Sequence, residues 1–223
     1  MRLSRKGVGA ALILAATLLA ACTSAREQQV RQLQARSAYE QGLRNLEERR
    51  VSLGLSALRE AVQLDPDNPV FRNALGVVLL DMGKPKEAEA EFREAVSLDS
   101  SYAEAHHNLG LALAGQGRLE DAIKSYRQAI RLPIYATPEI AYYNLGFAYV
   151  QLNKTQEAEE AFRTAIQLAP RLAPAYYGLG LVLVRAGRQA EARAAFAGAR
   201  DLDPTSPFGQ AAVEALKTLG EAR

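Results

Sequence analysis

Apolar residues recur at i, i+3, i+4 and i+7 from residue 138 to 152 and again from 155 to 168, and the polar pair Asn153-Lys154 separates the two runs. This spacing predicts two amphipathic helices folded back on each other as a hairpin. With Glu139 as position 1, Gly146 is position 8 and Ala158 is position 20, small residues at which the two helices can approach closely. Leu145, Tyr149 and Phe162, at positions 7, 11 and 24, would fill the space around that contact. A glycine inside a helix costs about 1 kcal/mol relative to alanine, so its recurrence needs a packing reason. It does recur: Gly42, Gly76, Gly110, Gly146 and Gly180 are 34 residues apart, except between Gly110 and Gly146, where the gap is 36. Position 20 reads Gly54, Ala88, Ala122, Ala158 and Ala192, and position 24 reads Leu58, Phe92, Tyr126, Phe162 and Phe196. Position 27 is alanine throughout: Ala61, Ala95, Ala129, Ala165 and Ala199.

The register predicts first helices near 35–48, 69–82, 103–116, 138–152 and 173–186, and second helices near 51–64, 85–98, 119–132, 155–168 and 189–202. Asp65-Pro66-Asp67-Asn68-Pro69 and Asp203-Pro204-Thr205-Ser206-Pro207 join a helix stop to a helix start. No strand-like alternation of useful length interrupts the pattern, so the fold class is all-α. The residues at positions 7, 8, 11, 20, 24, 27 and 32 resemble the tetratricopeptide repeat (TPR) signature from about residue 35 to 204. Pro66, Pro170 and Pro204 match at position 32, whereas Ser100 and Ile134 depart from it, as Gln41 does at position 7. The resemblance implies an α-solenoid, a right-handed superhelix of five to six helical hairpins whose first helices line the concave face. The repeats run 35–68, 69–102, 103–138, 139–172 and 173–206. Residues 207–223 then form a C-terminal capping helix or partial sixth repeat, with Phe208, Ala212, Leu216 and Leu219 on one side.

On arrays of this family, ligands usually meet positions 2, 5, 9, 12 and 13 of the first helices. Position 5 here is Tyr39, Asn73, His107, Tyr143 and Tyr177, and position 9 is Leu43, Val77, Leu111, Phe147 and Leu181. An unbroken apolar row edged by tyrosines reads as a groove for an extended peptide or an amphipathic helix. The bland alternative is that position-5 tyrosine is common in the family and that position 9 is partly covered by the following repeat. Chaperone-tail binders of the family grip a carboxylate with lysines at these positions, and no lysine stands at position 5 here.

With 48% hydrophobic and 23% charged residues among 223, the composition is that of an ordinary soluble protein. The N-terminus adds an export signal: basic Arg2, Arg5 and Lys6, an apolar run from Val8 to Leu19, then small residues. Residues 1–21 would be removed, and without those three charges the formal +2 becomes −1, which gives no electrostatic case for nucleic acid. Leu19-Ala20-Ala21-Cys22 resembles the lipobox of bacterial lipoproteins, which implies lipidation of Cys22, the sole cysteine. The alternative reads an ordinary cleavage site with an incidental cysteine, or a short membrane anchor. Thr23 rather than Asp follows the cysteine, and in Gram-negative lipoproteins this favours the outer membrane, periplasmic face. Residues 22–34 would then be a lipidated tether reaching roughly 20 Å.

The irregular connection, Leu132-Pro133-Ile134-Tyr135-Ala136-Thr137-Pro138-Glu139, carries the two extra residues, and Thr137-Pro138 is a good helix start. It leads into Ile140-Ala141, and its P-x-Y-x-T-P-x-x-A pattern is similar to that of type IV pilus biogenesis lipoproteins of the PilW, PilF and Tgl kind. That resemblance implies a pilotin: a tethered adaptor that binds an outer-membrane secretin subunit and assists its localisation or multimer assembly. A general periplasmic scaffold, organising cell-envelope proteins such as peptidoglycan enzymes, stays open. An enzyme is not expected. His106 and His107 point about 100° apart on a helix rather than forming an i, i+4 metal pair, and no nucleophile set or Gly-rich phosphate loop is present. The expectation is therefore no cofactor beyond the lipid, no metal and no small-molecule substrate.

Overall fold

The computed structural model describes the backbone of residues 5–220 and the side chains of residues 26–220. The expected signal segment 1–21 and the expected lipidation at Cys22 fall outside the described side chains. Among the described residues there are eleven helices and no strand: α1(Arg5–Glu47), α2(Val51–Leu64), α3(Pro69–Asp81), α4(Pro85–Leu98), α5(Ala103–Ala114), α6(Leu119–Arg131), α7(Pro138–Gln151), α8(Thr155–Leu168), α9(Ala173–Arg185), α10(Gln189–Leu202) and α11(Pro207–Thr218). None of them, among the described residues, is long and apolar enough to cross a membrane. Residues 26–34, expected as a tether, are a fully exposed helical run-up within α1, continuous with the first helix of repeat one.

Each hairpin closes through one contact. A Cβ added at Gly76, Gly110, Gly146 or Gly180 would lie 2.5 to 2.8 Å from the ring at position 24 of the paired helix, Phe92, Tyr126, Phe162 or Phe196. Only hydrogen fits there, which is the packing reason the recurrent glycine requires. Those four rings and Leu58 are fully buried, as are the five alanines of position 27. Between first and second helices the chain turns at position 15 with positive φ, at Arg49, Gly83, Gly117, Asn153 and Gly187. The amide of the next residue then bonds back to the carbonyl of position 11, as from Lys84 to Leu79 and from Arg188 to Leu183, the pattern of a Schellman cap. Asn68 caps α3 by accepting from the amides of Val70 and Phe71, and Ser206 caps α11 by accepting from Gly209. Thr137, in contrast, makes no side-chain cap on α7, whose start relies on Pro138 in the first turn.

Both ends of the array are polar where a further repeat would dock. In repeats two to five, positions 7 and 11 are Leu75 and Leu79, Leu109 and Leu113, Leu145 and Tyr149, and Leu179 and Leu183, all buried. In repeat one the same positions are Gln41, which is exposed, and Asn45, a polar residue that is itself buried. The departure at position 7 is therefore an end cap. At the other end α11 packs on α9 and α10, burying Ala212 and Leu216. Its residue at position 8 is the exposed Glu214, across which no second helix lies among the described residues.

Candidate functional site: the concave face

The first helices of successive repeats touch one another, α3 with α5, α5 with α7 and α7 with α9, and no second helix makes a comparable contact with the next second helix. The array therefore curves with its first helices on the inside. Position 9 remains accessible along this inner face: Leu43 and Val77 are each 36% exposed, and Leu111, Phe147 and Leu181 are half-buried.

Position 5 is less uniform than the sequence suggests. Tyr39 stacks on Phe71 with ring centroids 4.8 Å apart. Asn73 donates to the hydroxyl of Tyr102 at 3.2 Å and accepts from Asn108 at 3.0 Å. His107, expected as a groove residue, is buried and unavailable to a ligand. The inserted turn causes this: Tyr135 folds over the imidazole edge-on at 5.9 Å and its hydroxyl meets Nδ1, while Nε2 meets Asn144 Nδ2 of α7 at 2.9 Å. With the Asn144 amide donating to Nε2, Nδ1 carries the proton and donates to the Tyr135 oxygen. Burial lowers the imidazole pKa to about 4. Burial also pushes the Tyr135 phenol up to about 12, with a hydrogen bond from Thr137 acting against the shift and the charges of Glu104 and Glu139 adding to it. Thr137 thus serves the inserted turn rather than the helix start.

Tyr143 and Tyr177 are half-buried and belong to an aromatic basin that the sequence did not reveal. Tyr143 meets Phe147 edge-on at 5.0 Å, and Phe208 of α11 lies 6.4 Å from Tyr143 and 5.9 Å from Tyr177. The cap helix therefore contributes a ring to the concave face. In the sequence Phe208 reads only as part of the cap's packing side, although the register that makes Glu214 position 8 makes Phe208 position 2, one of the ligand-facing positions.

The surface clefts lie elsewhere. One of about 350 Å³ is lined by Arg127, Ile130, Leu145, Tyr149, Glu157 and neighbours, and Arg127 donates to the Tyr149 hydroxyl at 2.6 Å. A second of about 330 Å³ is lined by Arg59, Val62, Leu75, Leu79 and Glu87, the same repeat positions two repeats earlier. A cleft that recurs with the register is a product of stacking and does not single out a site. Among the described residues, no three His, Cys, Asp or Glu side chains are grouped to hold a metal ion.

No curated protein matches the chain. Among solved structures, PilW, titled a widely conserved type IV pilus biogenesis factor, is similar at 21% identity, covering 84% of this chain and 87% of its own, with TM-score 0.75. PilF of Pseudomonas aeruginosa is similar at 22% identity, covering 86% and 95%, with TM-score 0.70. MamA is similar at 28% identity, covering 73% and 94%, with TM-score 0.67. Tetratricopeptide repeat models match residues 73–137 and 143–207, and a further one matches 45–96. With the glycine-on-ring hairpins repeated from Gly76 to Gly180 and the models covering most of the sequence, the chain belongs to the tetratricopeptide repeat family, a scaffold for protein–protein interaction.

Proposed function

We propose that this protein is an outer-membrane lipoprotein adaptor of type IV pilus biogenesis, which binds a secretin subunit at its concave face and assists its localisation or multimer assembly. The observation that carries the proposal is the inserted turn. The pattern Pro133-Ile134-Tyr135-Ala136-Thr137-Pro138, by which the sequence resembles pilus biogenesis lipoproteins, packs Tyr135 against the middle of the concave face. Support also comes from the lipobox-like Leu19-Ala20-Ala21-Cys22 and from the fold shared with PilW and PilF over more than four-fifths of the chain. The mechanism is stoichiometric. Lipid on Cys22 would hold the array at the periplasmic face of the outer membrane, and each buried acyl methylene contributes about 0.8 kcal/mol to that hold. Tethering raises the effective concentration of whatever the concave face binds.

The test is the amount of heat- and detergent-resistant secretin multimer in outer membranes from cells with the gene, without it, and with Cys22→Ser. Loss of multimer with persistence of monomer in the second and third strains is the expected result. Unchanged multimer in the strain lacking the gene would refute the pilotin role and leave the general envelope scaffold.

A further inference from the structure

We infer that the C-terminal half of the concave face seats an extended protein segment bearing one aromatic side chain and, about three residues away, a lysine or arginine. The inference rests on the concave face being the partner surface and adds the chemistry of what occupies it. Tyr143, Phe147, Tyr177 and Phe208 gather half-buried rings from α7, α9 and α11 into one basin, with neighbouring centroids 5.0 to 6.4 Å apart. Edge-to-face clusters of this spacing accept another ring in the same geometry. Beside the basin, Asn144 uses one amide hydrogen on His107, and one repeat earlier Asn108 uses one on Asn73. Each keeps a carbonyl oxygen and a second N–H without a partner among the described residues. A free acceptor and donor side by side match the backbone of an extended chain, whereas a helix has already satisfied those groups.

Charge supplies the third part of the match. Glu104 and Glu139 flank Tyr135, both only partly exposed, and neither has an ion-pair partner among the described residues. Glu139 stands one helical turn before Tyr143 on α7, so an acid and the basin share one helix face. In this half of the array α5 and α7 carry no lysine or arginine and α9 carries only Arg185, which is engaged with the carbonyl of Val150. This face therefore attracts a cation and repels an anion. Neighbouring helices stand about 8–10 Å apart and an extended chain rises about 3.3 Å per residue, which sets the separation of the aromatic and basic residues at about three.

The full chain in detergent would be used to select from a phage-displayed library of random linear nonapeptides, and enriched peptides would be resynthesised for affinity measurement by fluorescence anisotropy. The expected enrichment is of peptides with an aromatic residue and an arginine or lysine about three positions apart. Phe208→Ala should weaken these about tenfold, and Phe208→Leu, which keeps apolar bulk on α11, should remain folded and still lose the aromatic preference. The double variant Glu104→Gln, Glu139→Gln should lose the preference for a basic residue and the salt dependence while keeping the aromatic one. No enrichment over a blank surface, acidic or ring-free consensus sequences, or affinities unmoved by Phe208→Leu would overturn the inference. If secretin multimers need the gene but are indifferent to these variants, the adaptor role survives and this occupant does not. If the peptides behave as described but multimers do not need the gene, the occupant survives and the pilus role does not.

Discussion

Burial holds the imidazole of His107 neutral down to about pH 4, and this has a definite consequence for stability. An unfolded histidine takes up its proton near pH 6.5. Between pH 6.5 and 4 the unfolded chain therefore binds a proton that the native chain refuses, so stability falls as the pH is lowered through this window. The loss approaches about 1.4 kcal/mol per pH unit and is of order 3 kcal/mol by pH 4. Urea unfolding at pH 7, 6, 5 and 4.5 should show this component in the wild type and lack it in His107→Gln, beside the contribution of carboxylates common to both. Identical pH slopes in the two proteins would mean that His107 is accessible to solvent in the native state. Tyr135 is the residue that closes the site, since its ring covers the imidazole and its hydroxyl oxygen accepts a hydrogen bond from Nδ1.

The hairpins are nearly equivalent within themselves but meet through two alternating kinds of junction. Between repeats two and three, the buried Glu89 accepts from Arg118 at 2.6 Å and from Gln116 at 2.6 Å, and between repeats four and five Glu159 accepts from Arg188 at 2.8 Å. At the junctions between one and two and between three and four the same position is apolar, Leu55 and Ile123. Burial alone would push the Glu89 carboxyl up, but hydrogen bonds from Gln116 and Arg118 and the charge of Arg93 outweigh it and hold the group below its ordinary value. A carboxylate held down in this way contributes stability above its unfolded pKa and loses it as the pH falls through the folded one. Glu89→Ala should cost about 2–4 kcal/mol at pH 7, because it leaves the arginine and amide donors facing an uncompensated site. Glu94→Ala on the exposed face of the same helix should cost less than about 0.5 kcal/mol, both read by thermal unfolding. The helices themselves were legible from the sequence to within a residue or two at their inner boundaries, because the contact of Gly146 with Phe162 and its equivalents recurs at a fixed register. His107 was not legible as buried, since what covers it comes from the inserted turn, the one connection outside that register. Phe208 escaped for a different reason: it stands in register at position 2 of the partial sixth repeat, but its contacts with Tyr143 and Tyr177 depend on how the cap helix docks.

In the whole molecule each hairpin contacts chiefly its neighbours, so stability is close to a sum of repeat and junction terms, and the two ends decide where the array opens first. Repeat one presents the polar Gln41 outward, where the other repeats carry a buried leucine, and needs no cover there. Repeat five does need it, because α11 places Leu216 and Ala212 against α9 and α10, and Leu216 is only 3% exposed. Burying one leucine contributes about 1.5–3 kcal/mol, so a chain ending at Asp203 should lose several kcal/mol, concentrated at that end. Hydrogen exchange on the full chain and the truncated chain should then show protection lost in α9 and α10 and progressively less in α8 and α7, with α3 to α6 nearly unchanged. The same truncation removes Phe208 from the concave basin, so binding there should weaken even at temperatures where repeat five remains folded. Protection lost equally from α1 to α10 would mean instead that the array unfolds as one cooperative unit, in which the cap sets the stability of every repeat. A graded loss would place the least stable repeat beside the aromatic basin, where a bound partner would restore protection in proportion to its occupancy.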